Sequence, residues 1–317
     1  MEKTILITDT LFVYEEHERK LRDAGYSLVR LDKPQASEET LIEQIRGKVA
    51  YILGGIERVT ERVIAAADQL QAIAFTGSGF SEFVPAHEAA TNKGIAITAA
   101  RGGNATAVAE YTIALVLLMI RRIPSVTSEG GDKFYIAKGF KDTTIGIVGY
   151  GAIGHAVASL AVSLGFRVIA TPSRSPQMRV PHVEMRELSD LLPLCDVVTI
   201  HTDKLRGTHI IGAEQLRRIK DGGIVINAAF PEAVDNIALA NEIRNKRLLA
   251  AYDAAPSEQF EGMPTGFWIR SNAQTAFNTQ EANLRISDLT VASLLNVLQT
   301  GFDPYLVNPD YRQHRAT

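Results

Sequence analysis

The amino-acid sequence predicts an α/β protein made of two Rossmann-like or flavodoxin-like domains, each built on a parallel sheet. Three observations lead to this prediction. Short apolar strands alternate with helices through the first hundred residues, a glycine-rich turn follows an apolar strand directly at 145–154, and a second alternating series comes after that turn. Strands separated by helices of about ten residues are typical of βαβ units and a parallel sheet. The length of 317 residues also suits two domains, each able to bury its own core.

The first alternating series contains five predicted strands and three predicted helices. The strands are Thr4–Thr8, Ser27–Leu31, Val49–Leu53, Ala72–Phe75 and Ile95–Thr98. The helices lie near Glu15–Ala24, Ser37–Arg46 and Thr60–Ala67. No glycine-rich fingerprint occurs in this part of the sequence, so we do not expect this unit to bind a nucleotide.

A long apolar helix is predicted at Asn104–Arg121. Apolar and small side chains recur there at helical spacing, at Val108, Tyr111, Thr112, Leu115 and Met119. This pattern predicts a buried helix, placed either between the domains or in a contact between subunits.

The stretch Ile145–Gly154, with the sequence IGIVGYGAIG, joins a buried strand to a G-x-G-x-x-G turn and an amphipathic helix. Gly149 allows the tight turn, and Gly151 lets the backbone approach a pyrophosphate. Gly154 lets the helix pack closely on the strand, while free N–H groups at the helix N-terminus face the phosphates. The arrangement predicts a dinucleotide site with contacts from Gly149, Gly151, Ala152, Ile153 and Gly154.

The end of the next strand predicts which dinucleotide is bound. A site selective for NAD carries an Asp or Glu roughly 20 residues beyond the fingerprint, where it holds the ribose 2′-hydroxyl. Here the chain continues with Thr171, Pro172, Ser173, Arg174 and Ser175, and has no acidic residue until Glu184. The guanidinium of Arg174, flanked by the hydroxyls of Ser173 and Ser175, suits a 2′-phosphate. We therefore expect NADP(H) to be favoured over NAD(H).

The series after the fingerprint completes the second predicted sheet. Its further strands are Phe166–Thr171, Val197–His201, Ile224–Ala228, Leu249–Asp253 and Ala273–Phe277. Helices are predicted near Glu187–Leu192, Gly212–Ile219 and Ala233–Asn245, and a last helix at Ala282–Gln299 carries the chain back to the first unit.

Composition and charge limit the classes of partner. The chain is 46% hydrophobic and 22% charged with a net charge of −3, which favours neither a nucleic-acid nor a membrane partner. The longest apolar run, Thr112–Ile120, is too short to span a bilayer, and Met1–Lys3 lacks a signal-peptide pattern. A single cysteine, Cys195, excludes an internal disulfide and suits a small core residue. We expect a cytoplasmic protein that acts on a small molecule, and we assign no metal site.

Several ordered motifs give the sequence a resemblance to a known family. They are Ala72–Phe80 (AIAFTGSGF), Asn104–Glu110 (NATAVAE), Asp196–His201 (DVVTIH), Gly223–Ala229 (GIVINAA) and Gly301–Asp310 (GFDPYLVNPD). With these motifs the chain resembles the D-isomer-specific 2-hydroxyacid dehydrogenases, the family of phosphoglycerate dehydrogenase and glyoxylate/hydroxypyruvate reductase. The resemblance extends over nearly the whole chain.

The resemblance implies a nucleotide-binding domain, residues 101–285, inserted into a flavodoxin-like substrate domain made of residues 1–100 and 286–317. It also implies a homodimer formed through the helix at 104–121. Substrate contacts are implied for Gly77, Ser78 and Gly79, and cofactor contacts for His201, Thr202, Ala228 and Asp253. In the family, the position of Asp253 holds the nicotinamide carboxamide. These cofactor residues follow predicted strands, where ligands of open α/β sheets bind.

The catalytic positions do not all match the family. Members use an arginine to hold the 2-oxo acid and a histidine, tuned by a glutamate, to deliver the proton to the carbonyl oxygen. The arginine position is Phe230 here, the histidine position is Gln274, and the glutamate position is Glu258. No histidine lies between Ile210 and Gln313, so a shifted register does not restore the relay.

The replacements predict altered chemistry. Gln274 can donate a hydrogen bond but cannot release a proton, and Phe230 favours an apolar or aromatic substrate surface. Glu258 becomes a candidate proton donor if burial raises its pKa.

Three hypotheses remain open from the sequence. The first is an NADPH-dependent reductase of a different carbonyl or imine substrate. The second is a working 2-hydroxyacid dehydrogenase whose acid comes from another residue, such as His87, Tyr252 or Lys204. The third is a nucleotide-binding sensor or partner protein without dehydrogenase activity.

Overall fold

The computed structural model describes residues 3–8, 11–31, 36–54, 56–131, 134–172, 179–202, 209–254 and 258–315. The chain divides into two compact units. The first unit consists of Met1–Asn104 and Thr279–Thr317, and the second unit is Ala105–Asn278. The assignment of the first unit to the substrate and of the second to the dinucleotide stays a prediction.

Strands and helices alternate through both units. In the described residues the strands are β1 Thr4–Ile7, β2 Ser27–Arg30, β3 Lys48–Leu53, β4 Ala72–Phe75, β5 Ala96–Ala99, β6 Thr144–Val148, β7 Arg167–Ala170, β8 Val183–Met185, β9 Val197–Ile200, β10 Ile224–Asn227, β11 Leu249–Tyr252 and β12 Trp268–Arg270. The helices are α1 Glu15–Asp23, α2 Glu38–Gln44, α3 Glu61–Ala66, α4 Phe80–Phe83, α5 His87–Asn92, α6 Ala105–Ile120, α7 Ile123–Val126, α8 Ala152–Ser163, α9 Leu188–Leu191, α10 Ala213–Arg218, α11 Asn236–Arg244 and α12 Gln280–Thr300.

The first unit contains a parallel five-stranded sheet in the order β2-β1-β3-β4-β5. This is the flavodoxin-like order, and it confirms the predicted fold class. Strands β4 and β5 are buried at every residue, as expected for a parallel sheet covered on both faces. Helix α12 returns to this unit and packs against α1, β4 and β5. The side chain of Thr279 caps its N-terminus by accepting the N–H of Ala282 at 3.1 Å.

The second unit contains a parallel seven-stranded sheet in the order β12-β11-β10-β9-β6-β7-β8. This is the Rossmann order extended by one strand, and the strand order reverses between β6 and β9. The single cysteine, Cys195, precedes β9 in the core of this unit, where its sulfur faces Gly146 of β6. A crevice at the carboxyl ends of β6 and β9 is where such a sheet binds its ligand.

The predicted strand Ala273–Phe277 is wrong. The edge strand is β12, which ends at Arg270, and the residues after it form a loop. The N–H groups of Thr275 and Ala276 donate to the carboxylate of Asp253 and not to a neighbouring strand. These amides therefore donate to a side chain and not to the backbone carbonyls of a neighbouring strand, as a β-strand would require.

Helix α6 packs against α8, β10 and β11 within the second unit. Ten of its residues are buried, among them Ala109, Val116 and Met119, which belong to the core of this unit. Contacts within one chain are therefore enough to explain why α6 is buried. The homodimer through this helix stays a prediction. Among the described helices, none combines the length and apolar character that a bilayer crossing requires.

Candidate functional site

The fingerprint turn between β6 and α8 requires glycine at two positions. Gly149 has a positive φ of 94°, and a Cβ atom there would collide with the carbonyl oxygen of His201. A Cβ at Gly154 would collide with the carbonyl oxygen of Gly149, so only glycine lets α8 pack this closely on the turn. These two glycines therefore build the turn itself.

The remaining glycine of the fingerprint has a different environment. Gly151 is the N-cap of α8, and a Cβ placed on it would have no heavy atom within 4 Å. The first amides of an α-helix, here those of Ala152 and Ile153, have no carbonyl partner within the helix, and the helix dipole makes them attractive to anions. Open space in front of uncapped amides is suited to the phosphate oxygens of a dinucleotide.

Two polar atoms beside this turn are buried, and neither has a hydrogen-bond partner among the described residues: Nδ1 of His201 and Oγ1 of Thr202. Both residues directly follow β9. Nε2 of His201 is occupied, since it forms a hydrogen bond of 2.8 Å with Oγ1 of Thr199. Burial lowers the pKa of His201 to about 3, so that its imidazole is neutral at physiological pH. Buried polar groups are almost always paired, so these two atoms suit polar groups of a bound ligand.

In an NAD-selective site, an acidic residue is expected just after β7. In this chain that position is Thr171, whose side chain holds the fingerprint turn. The Oγ1 of Thr171, one residue after β7, accepts the N–H of Gly149 at 2.9 Å. Ser173, Arg174 and Ser175 lie outside the described residues. The NADP(H) preference assigned to them stays a prediction.

A side-chain amide fixes the turn at the end of β10. Asn227 is 2% exposed, and its Oδ1 accepts the N–H of Ala229 at 3.0 Å while its Nδ2 donates to the carbonyl of Phe230 at 3.0 Å. Phe230 is half-buried and packs against the core of the second unit. These two hydrogen bonds therefore hold the turn 227–230, which includes Ala228, at the carboxyl ends of the strands.

A carboxylate fixes a second segment at the end of β11. Asp253 is 5% exposed and accepts hydrogen bonds from Oγ of Ser271 at 2.7 Å, from the N–H of Thr275 at 3.0 and 3.1 Å, and from the N–H of Ala276 at 2.9 Å. We name residues 271–276 the Gln274 loop. Oγ of Ser271 also accepts the N–H of Ala254, which has a positive φ of 60°.

The Gln274 loop meets the turn at the end of β10. Nε2 of Gln274 donates to the carbonyl of Ala229 at 3.4 Å, and the Gln274 side chain is exposed. Gln274 thus reaches the residue that directly precedes Phe230 in the chain. The catalytic and substrate-binding roles expected for Gln274 and Phe230 stay predictions.

The third catalytic candidate has a different environment. Glu258 begins the 3₁₀ helix Glu258–Phe260, and its side chain is exposed. The burial that would turn this carboxyl into a proton donor at neutral pH is absent. The catalytic assignment of Glu258 stays a prediction without that physical support.

The alternative proton donors are also accounted for in part. Burial raises the pKa of Tyr252 well above its usual value, which makes its hydroxyl a poor acid. His87 lies on α5 in the first unit, edge-on to the ring of Phe80 at 5.8 Å. Lys204 lies outside the described residues.

The loop with the predicted substrate contacts follows β4 in the first unit. The hydroxyl of Ser78 accepts the N–H of Gly102 at 3.2 Å, which ties this loop to the chain before α6. A Cβ on Gly77 would lie 2.7 Å from the ring of Phe75, whereas Gly79 has open space around it. Contacts of Gly77, Ser78 and Gly79 with a substrate carboxylate stay a prediction. No group of three His, Cys, Asp or Glu side chains suited to a metal ion occurs in the part of the chain described.

The sequence analysis missed one contributor to the site, Ser271. Its hydroxyl donates to Asp253 and accepts from Ala254, so it joins the end of β11 to the Gln274 loop. The wrongly predicted strand nearby obscured it. A serine just beyond an apolar edge strand is the only signal that the sequence offers.

Comparisons with known proteins found similar sequences and similar structures. Residues 113–274 match the family described as D-isomer specific 2-hydroxyacid dehydrogenase, NAD binding domain. The D-3-phosphoglycerate dehydrogenase of Pongo abelii is 32% identical over 258 residues, which cover 78% of this chain and 47% of that relative. The chain thus spans about half the length of this curated relative.

Solved structures share the fold. The 3-phosphoglycerate dehydrogenase of Entamoeba histolytica, solved with NAD⁺, has a TM-score of 0.81 at 22% identity, with 97% of this chain and 99% of that chain covered. An acyclic imino acid reductase, solved with NADPH and D-Arg, has a TM-score of 0.82 at 18% identity, with coverage of 96% and 99%.

Proposed function

This chain belongs to the D-isomer-specific 2-hydroxyacid dehydrogenase family, and on that premise we propose that it is a nicotinamide-dependent reductase with a substrate other than a simple 2-oxo acid. The substrate is a small carbonyl compound or imine with an apolar or aromatic surface. The preferred cofactor is NADP(H). The observation that carries the proposal is the hydrogen bond from Gln274 to the carbonyl of Ala229, the residue just before Phe230. Gln274 and Phe230 are uncharged residues at the positions where the resemblance implies a histidine and an arginine.

The second unit offers a fitting place for the cofactor. The amides of Gly151, Ala152 and Ile153 would hold the pyrophosphate, since the space in front of Gly151 is open. The unpartnered Nδ1 of His201 and Oγ1 of Thr202 would hold polar groups further along the dinucleotide. When bound, the reduced nicotinamide supplies the hydride.

The proton requirement separates the possible substrates. Hydride addition to a ketone carbon leaves an alkoxide, which needs a proton, and a positioned acid typically contributes about 10²–10⁴ in rate. A protonated imine already carries its proton on nitrogen, so hydride addition to its carbon gives the neutral amine directly. The side chain of Gln274 can accept a hydrogen bond from an iminium N–H or donate one to a carbonyl, but it releases no proton. An imine therefore requires less from this site than a ketone does.

The substrate surface follows from Phe230. A charge-assisted hydrogen bond contributes about 1.5–3 kcal/mol, and a phenyl ring cannot provide one to a carboxylate. Contact between the half-buried ring and apolar substrate atoms instead removes apolar surface from water, which favours binding. Simple 2-oxo acids such as glyoxylate present mostly charge to this ring and little apolar surface.

A substrate panel tests the proposal. The chain is mixed with NADPH or NADH and with glyoxylate, hydroxypyruvate, an aryl ketone or 2-methyl-1-pyrroline, and cofactor oxidation is followed by absorbance. We expect the cyclic imine or the ketone to be reduced faster than glyoxylate, and expect NADPH to be used better than NADH. Faster turnover of glyoxylate or hydroxypyruvate would contradict the proposal and favour an ordinary dehydrogenase with a substitute acid. NADPH binding without reduction of any panel member would favour a sensor or partner protein.

A further inference from the structure

Tyr150 stands between Gly149 and Gly151 in the fingerprint turn and carries a buried hydroxyl group. The residue is 2% exposed, and its ring belongs to the core of the second unit, where it lies edge-on to His155 at 6.0 Å. The hydroxyl accepts the N–H of Val180 at 3.1 Å, a backbone group 30 residues further along the chain. A buried tyrosine hydroxyl usually has such a partner, but the packing of the ring does not require the hydroxyl. The hydroxyl therefore has a task of its own, which is to hold Val180.

The preceding residue of the turn makes a matching contact. The N–H of Gly149 donates to Oγ1 of Thr171 at 2.9 Å, and the N–H of Thr171 donates to the carbonyl of Ile147 at 2.9 Å. Thr171 directly follows β7. Val180 begins the turn that leads into β8, since its carbonyl accepts the N–H of Val183 at 3.4 Å. Two successive residues of the fingerprint turn thus hold the two ends of the chain that connects β7 to β8.

These two ends are relevant to the choice of cofactor. The carboxyl end of the second strand of a Rossmann unit, here β7, is where the adenosine ribose binds. The sequence between the two ends includes Arg174, whose contact with a 2′-phosphate is a prediction. A guanidinium binds a phosphate best through two parallel hydrogen bonds, which restrict the geometry. Backbone that is held in place before the ligand arrives also loses less conformational entropy on binding. Anchors at Thr171 and Val180 should therefore favour the cofactor that carries the phosphate.

We propose that Tyr150 is a positioning residue for cofactor choice: its hydroxyl holds Val180 to the fingerprint turn and thereby favours NADP(H) over NAD(H). The inference rests on the NADP(H) preference of the proposed function. It assigns part of that preference to a buried residue of the fingerprint.

Tyr150→Phe tests the inference, because it removes the hydroxyl and keeps the ring in the core. Tyr135→Phe makes the same change at a tyrosine of the second unit that is 47% exposed, and it serves as the control. Without cofactor, hydrogen exchange of the Val180 amide should become about fivefold faster or more in Tyr150→Phe, as expected for the loss of one hydrogen bond. The exchange of the Arg186 amide, which donates to the carbonyl of Ala170, should stay unchanged, because β8 remains paired with β7.

Cofactor binding separates a positioning role from general support of the fold. The Kd of NADPH, measured by fluorescence, should rise by about fivefold or more in Tyr150→Phe. The Kd of NADH should change by less than about twofold, since NADH carries no 2′-phosphate. Tyr135→Phe should leave both Kd values unchanged. An ester in place of the Val180 amide removes the same hydrogen bond from its other side, and it provides this comparison if Tyr150→Phe does not fold.

The outcomes distinguish the inference from the proposed function. A preference for NADPH that Tyr150→Phe leaves intact would overturn the inference alone, and so would equal weakening of both cofactors or unchanged exchange of the Val180 amide. Equal affinities of the unchanged chain for NADPH and NADH would contradict the proposed cofactor preference itself, and the inference with it.

Discussion

Individual side chains at the second sheet are largely committed to holding backbone. Thr171 accepts the N–H of Gly149, Asn227 bonds both Ala229 and Phe230, and Asp253 bonds the Gln274 loop. Among the described residues of this unit, those we assign to a ligand form a smaller set: the amides at the start of α8, two unpartnered atoms on His201 and Thr202, and the side chain of Gln274. No member of this set is an acid or a cation, since His201 is held neutral by burial.

The preference for NADPH over NADH is a prediction that depends on individual side chains. Because Thr171 stands where an acid would bind the ribose 2′-hydroxyl, and Arg174 follows three residues later, the chain should bind NADPH at least about tenfold more tightly than NADH. Arg174→Ala should remove that difference by weakening NADPH alone, whereas Arg217→Ala on the exposed face of α10 should leave both Kd values unchanged. Fluorescence titration measures the affinities of all three chains for both cofactors. Equal affinities of the unchanged chain for the two cofactors would contradict the prediction.

At the scale of elements, the strand–turn–helix unit of β6 and α8 separates two roles of glycine. Gly149 and Gly154 are required by close backbone contacts inside the turn, while Gly151 faces open space. The first role concerns folding and the second concerns the approach of a ligand.

Two single substitutions distinguish these roles. Gly149→Ala should lower the free energy of unfolding by about 1–3 kcal/mol or more, because it adds a Cβ at positive φ and against the His201 carbonyl. Gly151→Ala should change the free energy of unfolding by less than about 0.5 kcal/mol, yet weaken NADPH binding by about tenfold or more. Urea denaturation and cofactor titration of both variants check this. A Gly151→Ala chain that binds NADPH normally would show that the pyrophosphate is bound elsewhere.

Elements differed in how well the sequence predicted them. All five strands of the first sheet were predicted, because each is an apolar run bounded by turn residues and separated from the next by a helix. Strand β8 was missed because Val183–Met185 is a half-buried edge strand of three residues, too short for a period to emerge. The strand at Ala273–Phe277 was wrong because Asp253, some twenty residues earlier, accepts its amides. A contact of that kind leaves no local pattern in the sequence.

Part of the candidate site could be predicted from the sequence and part could not. The fingerprint could be located from the residues alone, whereas Phe230 and Gln274 were located through the resemblance to the family, which implies an arginine and a histidine at these positions. The neighbouring position of Gln274 and Ala229, the exposed side chain of Glu258 and the anchoring role of Ser271 could not. They depend on how loops from different strands meet at one edge of the sheet.

At the scale of the whole molecule, the chain consists of two units with separate sheets and separate cores. The features assigned to the cofactor all belong to the second unit: the α8 N-terminus, His201 and Thr202. Ligand binding should therefore stabilise that unit directly.

Addition of NADPH tests whether the cofactor binds to the second unit. With NADPH at 100 times its Kd, the free energy of unfolding of the second unit should rise by about 2.7 kcal/mol, because the cofactor binds the folded form alone. Hydrogen exchange should slow first in the peptides that cover 149–154 and 201–202. Removal of NADPH by dialysis should reverse both effects. Protection confined to residues 1–104 would place the nucleotide in the wrong unit and contradict the assignment.

The position of Cys195 gives the second unit a built-in reporter. The thiol is buried against Gly146 and Leu191, and burial raises its pKa to about 12. Thiol reagents attack the thiolate, so labelling in the folded chain requires the core to open first. Since the chain has no other cysteine, the rate of labelling with an alkylating dye reports the opening of the core of the second unit alone. A cofactor that binds the folded unit should lower this labelling rate. A screen for such cofactors requires neither a known substrate nor a measurable reaction.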